Sequence, residues 1–336
     1  MQKIVLSGIQ PTSHPHLGNY FGAIKNWVKL QENADYKNIY FIVDMHAITV
    51  YQDPQELYNN TLSMVATVLA CGIDPAKSIL FVQSQNPHHS ELAWILNCIA
   101  RVGWLSRMTQ FKDKAGENQE KSSVGLYTYP VLQAADILLY DTDIVPVGQD
   151  QKQHIELARD IAIKFNNDYK SPIAFKVPEP YIIKNSAKIM SLQDALKKMS
   201  KSDPKETAKI NLTDSNDVII SKIAKAKTDS GLMPTNVLEA QVSRPEIYNL
   251  LELYSLCSGE KIEDIALNYA GQGFANFKKQ LAENIISVVE PVNKKYNDLI
   301  KNKDYLLQVL KKGKEQSLEI STLKIQKIRQ IIGYVI

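Results

Sequence analysis

Short apolar runs alternate with longer amphipathic segments through the first half of this chain, and that alternation constrains its fold more than any other feature. The runs are residues 4–7 (IVLS), 39–43 (IYFIV), 79–83 (ILFVQ) and 144–147 (IVPV). Each is too short for a globular helix and reads as a strand buried on both faces. Between them, residues 18–30, 54–71, 90–102, 130–140 and 151–165 carry apolar positions at helical spacing. Asp53-Pro54 supplies an N-cap followed by proline at the first helical position. Alternating strands and helices predict an α/β fold with a doubly wound parallel sheet, whose ligands bind outside the C-terminal ends of the strands.

Two stretches depart from the alternation. Residues 111–125 (FKDKAGENQEKSSVG) are polar, charged and Gly/Ser-containing, which predicts a mobile loop. From about residue 207 strand signals fade and helical periodicity takes over, as in Ile247, Leu250, Leu251 and Tyr254, stopped by Ser258-Gly259. A C-terminal helical domain is therefore expected after the sheet. The length of 336 residues fits this pairing of one large and one smaller domain.

Composition excludes more than it identifies. A net charge of +3 is too small to imply a polyanionic partner, but residues 294–330 hold ten Lys/Arg against four Asp/Glu, so the excess is concentrated near the C-terminus. Cys71, Cys98 and Cys257 are far apart and odd in number, which gives neither a metal pair nor a disulfide framework and points to a reducing compartment. Each reads as a small buried hydrophobe. The chain opens directly into Lys3-Ile4-Val5-Leu6, without the succession of a signal peptide, and no run approaches the length of a membrane span. Neither G-x-G-x-x-G after a strand nor G-x-x-x-x-G-K-[ST] occurs, so a nucleotide would have to bind by another route.

Two motifs offer one. Lys198-Met199-Ser200-Lys201-Ser202, stopped by Asp203-Pro204, places two compact, flexible cations among hydroxyls, suited to phosphate oxygens that gain charge during transfer. About 180 residues earlier, Gly8-Ile9-Gln10-Pro11-Thr12 follows the first strand and leads into His14-Pro15-His16-Leu17-Gly18-Asn19. Glycine at a strand end permits close backbone approach, and His16 and Asn19 fall at a helix start, where phosphate is favoured.

Together the pair resembles the class I aminoacyl-tRNA synthetases, whose signatures are His-x-Gly-His and Lys-Met-Ser-Lys-Ser. Asn19 in place of the second histidine resembles the tryptophanyl branch, as do the segments 42–50, 107–112, 129–137 and 145–151. The resemblance spans roughly residues 3–333, weakest in the C-terminal helices. It implies a Rossmann-like catalytic domain over residues 1–205, including the loops 111–125 and 198–202, and a helical tRNA anticodon-binding domain over 206–336. It further implies activation of L-tryptophan with ATP and Mg²⁺, transfer to tRNA(Trp), a cytoplasmic homodimer, and no membrane or DNA partner.

By the same resemblance, His16, Asn19, Lys112, Lys198 and Lys201 would act on the phosphates. ATP would further meet Gln10, Pro11, Thr12, Gly18, Gly148, Asp150, Ile189, Met199, Ser200 and Ser202. Tryptophan would be lined by Leu6, Gly8, Gln10, Val43, His46, Tyr129, Gln133, Val145 and Val147, with Tyr129 and Gln151 on its amino group. Asp136 stands inside an apolar run, where a carboxylate is costly unless paired, and an indole N–H is a suitable uncharged donor. No metal ligand is expected from the protein. Ser13, Pro15, Met45, Gln133 and Gln149 depart from the family pattern. A tyrosyl enzyme would share the fold and both signatures, and a phenol would suit Asp136 as well; the flanking segments favour tryptophan. A non-catalytic paralogue that binds RNA or senses tryptophan would have lost phosphate-handling residues, which are all present here.

Overall fold

The computed structural model describes residues 2–108, 122–148, 151–182, 188–201 and 203–335. Among them five parallel strands, β1 (Lys3–Ile9), β2 (Tyr36–Ile42), β3 (Ser78–Val82), β4 (Ile144–Val147) and β5 (Glu179–Ile182), form one sheet in the order β3-β2-β1-β4-β5. The winding reverses between β1 and β4, where Val5 pairs with Ile144. A crevice therefore opens beyond the C-terminal ends of those two strands, the usual ligand position in such a sheet.

In chain order the helices are α1 (Leu17–Asn19), α2 (Lys25–Leu30), α3 (Asp44–Ala47), α4 (Pro54–Ala70), α5 (His88–Asn97), α6 (Val102–Leu105), α7 (Val124–Leu138) and α8 (Lys152–Asp168). A π-helical stretch, Tyr20–Ile24, joins α1 to α2. One face of the sheet presents Leu6, Phe41 and Phe81 to α5, α7 and α8. The other presents Val5, Ile9, Tyr40 and Ile42 to Trp27 of α2 and to α4. Asp53 caps α4, its carboxylate accepting from the amides of Gln55 and Glu56.

Three expectations need correction. A fifth strand, β5, escapes the sequence pattern because it is four residues long and contains Pro180; its place at the sheet edge, paired with β4, tolerates the missing amide. Helix α7 begins at Val124 rather than at Pro130, because Ser123 caps it by accepting from Leu126 N at 3.1 Å. Pro130 lies inside that helix, and residues 124–125 belong to it rather than to the expected loop. Cys98 is exposed, whereas Cys71 and Cys257 are partly buried with their thiols pushed up to about 12, chiefly by burial.

The C-terminal part continues with α9 (Asn216–Ala224), α10 (Val237–Ser243), α11 (Pro245–Ser258), α12 (Ile262–Tyr269), α13 (Phe274–Lys301) and α14 (Lys303–Ile332). Ile247, Leu250, Leu251 and Tyr254 of α11 pack on Phe277, Leu281 and Ile285 of α13, and Gly259 ends α11 at φ +81°. The same core takes in Leu17, Phe21, Ile189, Leu192 and Met199. Helix α14 instead turns back on the sheet, with Leu306, Val309, Leu310, Ile325 and Ile328 in the sheet's two cores.

Candidate active site

At the C-terminal end of β1, Gln10 follows Ile9 and the chain turns through buried Pro11 and half-buried Thr12. Ser13 adopts φ +58°, the left-handed region that glycine enters without steric cost. His16 then precedes α1, and its N–H donates to Asn19 Oδ1 at 3.2 Å, so the remaining polar atom of Asn19, Nδ2, is a donor. Gly18 is required here: a Cβ would lie 2.8 Å from His16 Cε1 and 2.9 Å from Nδ1. The His16 ring is buried, and its Nδ1 has no partner among the described residues. Burial, reinforced by the charges of Lys201, Lys209 and Lys198, lowers its pKa to about 3. His16 is therefore a neutral hydrogen-bonding group in the physiological range.

The second motif lies against the first. Met199 N donates to Ile189 O at 3.0 Å and Ser191 N to Lys197 O at 2.8 Å, making a short antiparallel turn from 189–191 and 197–199. Asn249 of α11 clamps its base, accepting from Met190 N at 3.0 Å and donating to Met190 O at 3.2 Å. Buried Met199 faces Gly18. Lys201 reaches across to donate to Gln10 O at 3.0 Å, and burial pushes its pKa down to about 8. Lys209 secures the loop, donating to Lys201 O at 3.0 Å while pairing with Glu206 at 3.1 Å. The fold thus brings Gln10, His16, Gly18, Asn19, Met199 and Lys201 together, with Lys198 close enough to bias His16. Half-buried Ser200 lies between Met199 and Lys201. Lys112, Gln149, Asp150, Ser202 and residues 111–121 lie outside the described residues.

Beside this cluster the segments that follow β2 and β3 converge on Asp136 of α7. Gly8 of β1 packs so tightly on Val43 that a Cβ would come within 2.6 Å of Val43 Cγ1. Leu6 and Val145 are buried in the adjoining strands, and Val147 closes β4 just before Gly148. His46 of α3 donates through Nε2 to Asp136 Oδ2 at 3.0 Å and stands edge-on to the Tyr129 ring. The Tyr129 hydroxyl lies 2.9 Å from His154 Nε2, and Gln133 donates to Gln151 at 3.4 Å.

The partners of Asp136 are the main surprise. Its carboxylate accepts from Gln83 Nε2 at 2.8 and 2.9 Å, from His46, and from His89 Nδ1 at 2.6 Å. Burial alone would raise its pKa, but the hydrogen bonds from His46 and His89 overcome that and hold it below the usual carboxylate range. Asp136 is an anion already clamped by the protein, rather than one waiting for its first donor.

Residues 2–290 match the family described as tRNA synthetases class I (W and Y). The chain belongs to that family. It is 52% identical over 336 residues to the tryptophan–tRNA ligase of Rickettsia conorii, covering all of both chains. Its structure resembles the tryptophanyl-tRNA synthetase of Mycoplasma pneumoniae, with a TM-score of 0.87 and 33% identity over 100% of this chain and 99% of the other. It also resembles the Campylobacter jejuni tryptophanyl-tRNA synthetase complexed with ADP and tryptophan, with a TM-score of 0.84 and 36% identity over 98% and 99%.

For a class I tRNA synthetase the sequence reading left out Gln83, His89, Lys209 and Asn249. Gln83 had a signal, a polar residue directly after a buried strand, where this fold binds ligands; His89 lies farther on, inside α5, and its tie to Asp136 shows only in the fold. Lys209 and Asn249 had none, because their roles depend on contacts made after the chain has folded back. Among the described residues no cluster of His, Cys, Asp or Glu could hold a metal ion, and no helix is long and apolar enough to cross a membrane.

Proposed function

We propose that this aminoacyl-tRNA synthetase, a tryptophan–tRNA ligase, performs both chemical steps at the crevice between β1 and β4. The tryptophan carboxylate attacks the α-phosphate of ATP; the bond to the β-phosphate breaks, leaving tryptophanyl-adenylate and pyrophosphate. A terminal ribose hydroxyl of tRNA(Trp) then attacks the activated carbonyl and releases AMP. The observation that carries this reading is Lys201 held over Gln10, beside the buried and neutral His16. His16 and Asn19 would offer uncharged hydrogen bonds to the α-phosphate as it becomes pentacoordinate, while Lys198 and Lys201 stabilise charge on departing pyrophosphate. By family resemblance Lys112 joins them on the polyphosphate, Ser202 also meets ATP, and Asp150 takes a ribose hydroxyl. Mg²⁺ would enter as part of the MgATP substrate, since among the described residues Lys201 and the charge of Lys198, rather than carboxylates, lie beside His16.

The amino-acid side chain would enter between Val43, Val145 and Tyr129, with its ring N–H on Asp136. Because three donors already serve that carboxylate, the incoming N–H would take the place of His46, the most distant of them at 3.0 Å. Residues 206–336 are proposed to carry the anticodon-contacting surface and the enzyme to work in the cytoplasm. A homodimer is supported by exposed Ile48 and Trp94, beside a cavity of about 410 Å³ that Tyr129 also lines.

Pyrophosphate exchange with each of the twenty amino acids tests this reading. Tryptophan alone should support exchange at low concentration. Replacing Asp136 by alanine should cost about 2–4 kcal/mol of discrimination against a tryptophan analogue whose ring lacks the N–H, as at other sites built to receive one buried donor. Exchange driven by tyrosine, or an unchanged ratio of kcat/KM values in the variant, would remove the specificity role.

A further inference from the structure

His89 of α5 is fully buried, and both ring nitrogens are engaged: Nδ1 with Asp136 Oδ1 at 2.6 Å and Nε2 with the Tyr140 hydroxyl at 2.8 Å. Phe41 and Phe81 flank the ring, with centroids at 5.5 and 5.8 Å, and deny it water. The Tyr140 oxygen accepts from Asn86 Nδ2 at 3.1 Å. Asn86 also donates to Ser321 Oγ at 2.9 Å and, more weakly, to Ser317 Oγ at 3.3 Å, both fully buried on α14. His88 N donates to Asn86 Oδ1 at 3.1 Å, which fixes which way the amide faces.

These bonds have one consistent direction. An ionised Asp136 only accepts, so His89 Nδ1 carries a hydrogen. In the neutral ring Nε2 is then an acceptor, and Tyr140 must donate to it, leaving its oxygen free to accept from Asn86. Removing any member leaves a buried polar atom unpaired, which costs more than the bond itself contributes. We propose that His89 is a positioning residue for tryptophan recognition, holding the Asp136 carboxylate in one orientation, with its own tautomer fixed by Tyr140, Asn86 and the two serines of α14. The last helix of the chain thereby takes part in the amino-acid pocket, although none of the pocket residues lies on it.

The proposal rests on the reading of Asp136 as acceptor of the ring N–H, and the test separates the two. Pyrophosphate exchange is measured in the full-length enzyme with tryptophan and ATP varied in turn, alongside thermal melting. His89→Leu should raise the KM for tryptophan about 10- to 100-fold, with KM for ATP unchanged and kcat within about threefold. His89→Asn, whose amide can donate from near the Nδ1 position without filling the ring's space, should recover most of that loss. Tyr140→Phe and the double variant Ser317→Ala/Ser321→Ala should shift tryptophan KM the same way by about 3- to 10-fold. A general loosening of packing would instead lower melting temperature and degrade both substrates, with no rescue by asparagine; that result overturns the proposal. Parental tryptophan KM in His89→Leu and Tyr140→Phe, with a raised KM in Asp136→Ala, would overturn the positioning role alone. Parental KM in Asp136→Ala would overturn the reading of the pocket on which it rests.

Discussion

Lys201 shows how much a single side chain depends on its surroundings. In water a lysine ammonium keeps its proton to about pH 10.5, but here burial brings the pKa to about 8. Above that value the cation proposed to meet the departing pyrophosphate disappears. The rate of tryptophan activation at subsaturating MgATP should therefore fall as pH rises through about 8, and a pH series of kcat/KM for ATP checks it. Stability should move the other way: between about 8 and 10.5 the unfolded chain holds a proton that the folded chain has shed, so Lys201 makes unfolding harder as pH rises. Lys201→Ala should remove the activity limb and lower kcat by roughly 10²–10³-fold, comparable to losing one preorganised donor. A loss confined to ATP affinity would make Lys201 a ground-state phosphate binder instead.

At the scale of elements, the contact that matters most joins α14 to β3. An edge strand with free backbone groups invites unwanted pairing, and covering it with a helix is a common remedy. The covering is close: a Cβ on Gly313 would lie 1.9 Å from Leu80 O, so only glycine permits this approach. Farther along α14, Arg329 pairs with Glu91 at 2.6 and 2.7 Å, and Lys324 with Asp141 and the Ala174 carbonyl. Gly313→Ala should force the helix off the strand and destabilise the protein by about 2–3 kcal/mol, as overpacking usually does. Calorimetry would register it as a lowered melting temperature, and a parental value would show that α14 yields without cost. Because Ser317 lies one turn beyond, tryptophan KM should rise in the same variant.

For the whole molecule, the packing redistributes what the sequence lays out in order. The turn carrying Met199 shares a core with α9, α11 and α13, so the helical part packs directly against the segment proposed to meet the phosphates. The basic excess of residues 294–330 is also smaller than it looks, because Lys324 and Arg329 are committed to ion pairs with the sheet domain. Lys294, Lys295, Lys301, Lys303, Lys311 and Lys312 remain exposed. If these contact tRNA phosphates, replacing them with glutamine should weaken tRNA binding and flatten its dependence on salt, while adenylate formation stays at parental rate. Parental affinity and salt slope would mark them as a solvated face.

The sequence by itself determined the alternation that makes a doubly wound sheet, the helical C-terminal part, and two motifs specific enough to name the family. Those features are local: apolar period, capping residues, and short runs whose residue types carry their own chemistry. Tertiary structure alone decided that Asp136 is clamped by Gln83, His46 and His89, that Asn249 holds the base of the lysine turn, and that α14 meets Asn86 behind that clamp. It also decided that β5 is a strand and that α7 starts at Val124, where a serine cap outweighs an internal proline. The reason is physical. A buried polar group states only that it needs a partner. Which residue answers depends on elements that are distant in the chain and adjacent only once the apolar faces have packed.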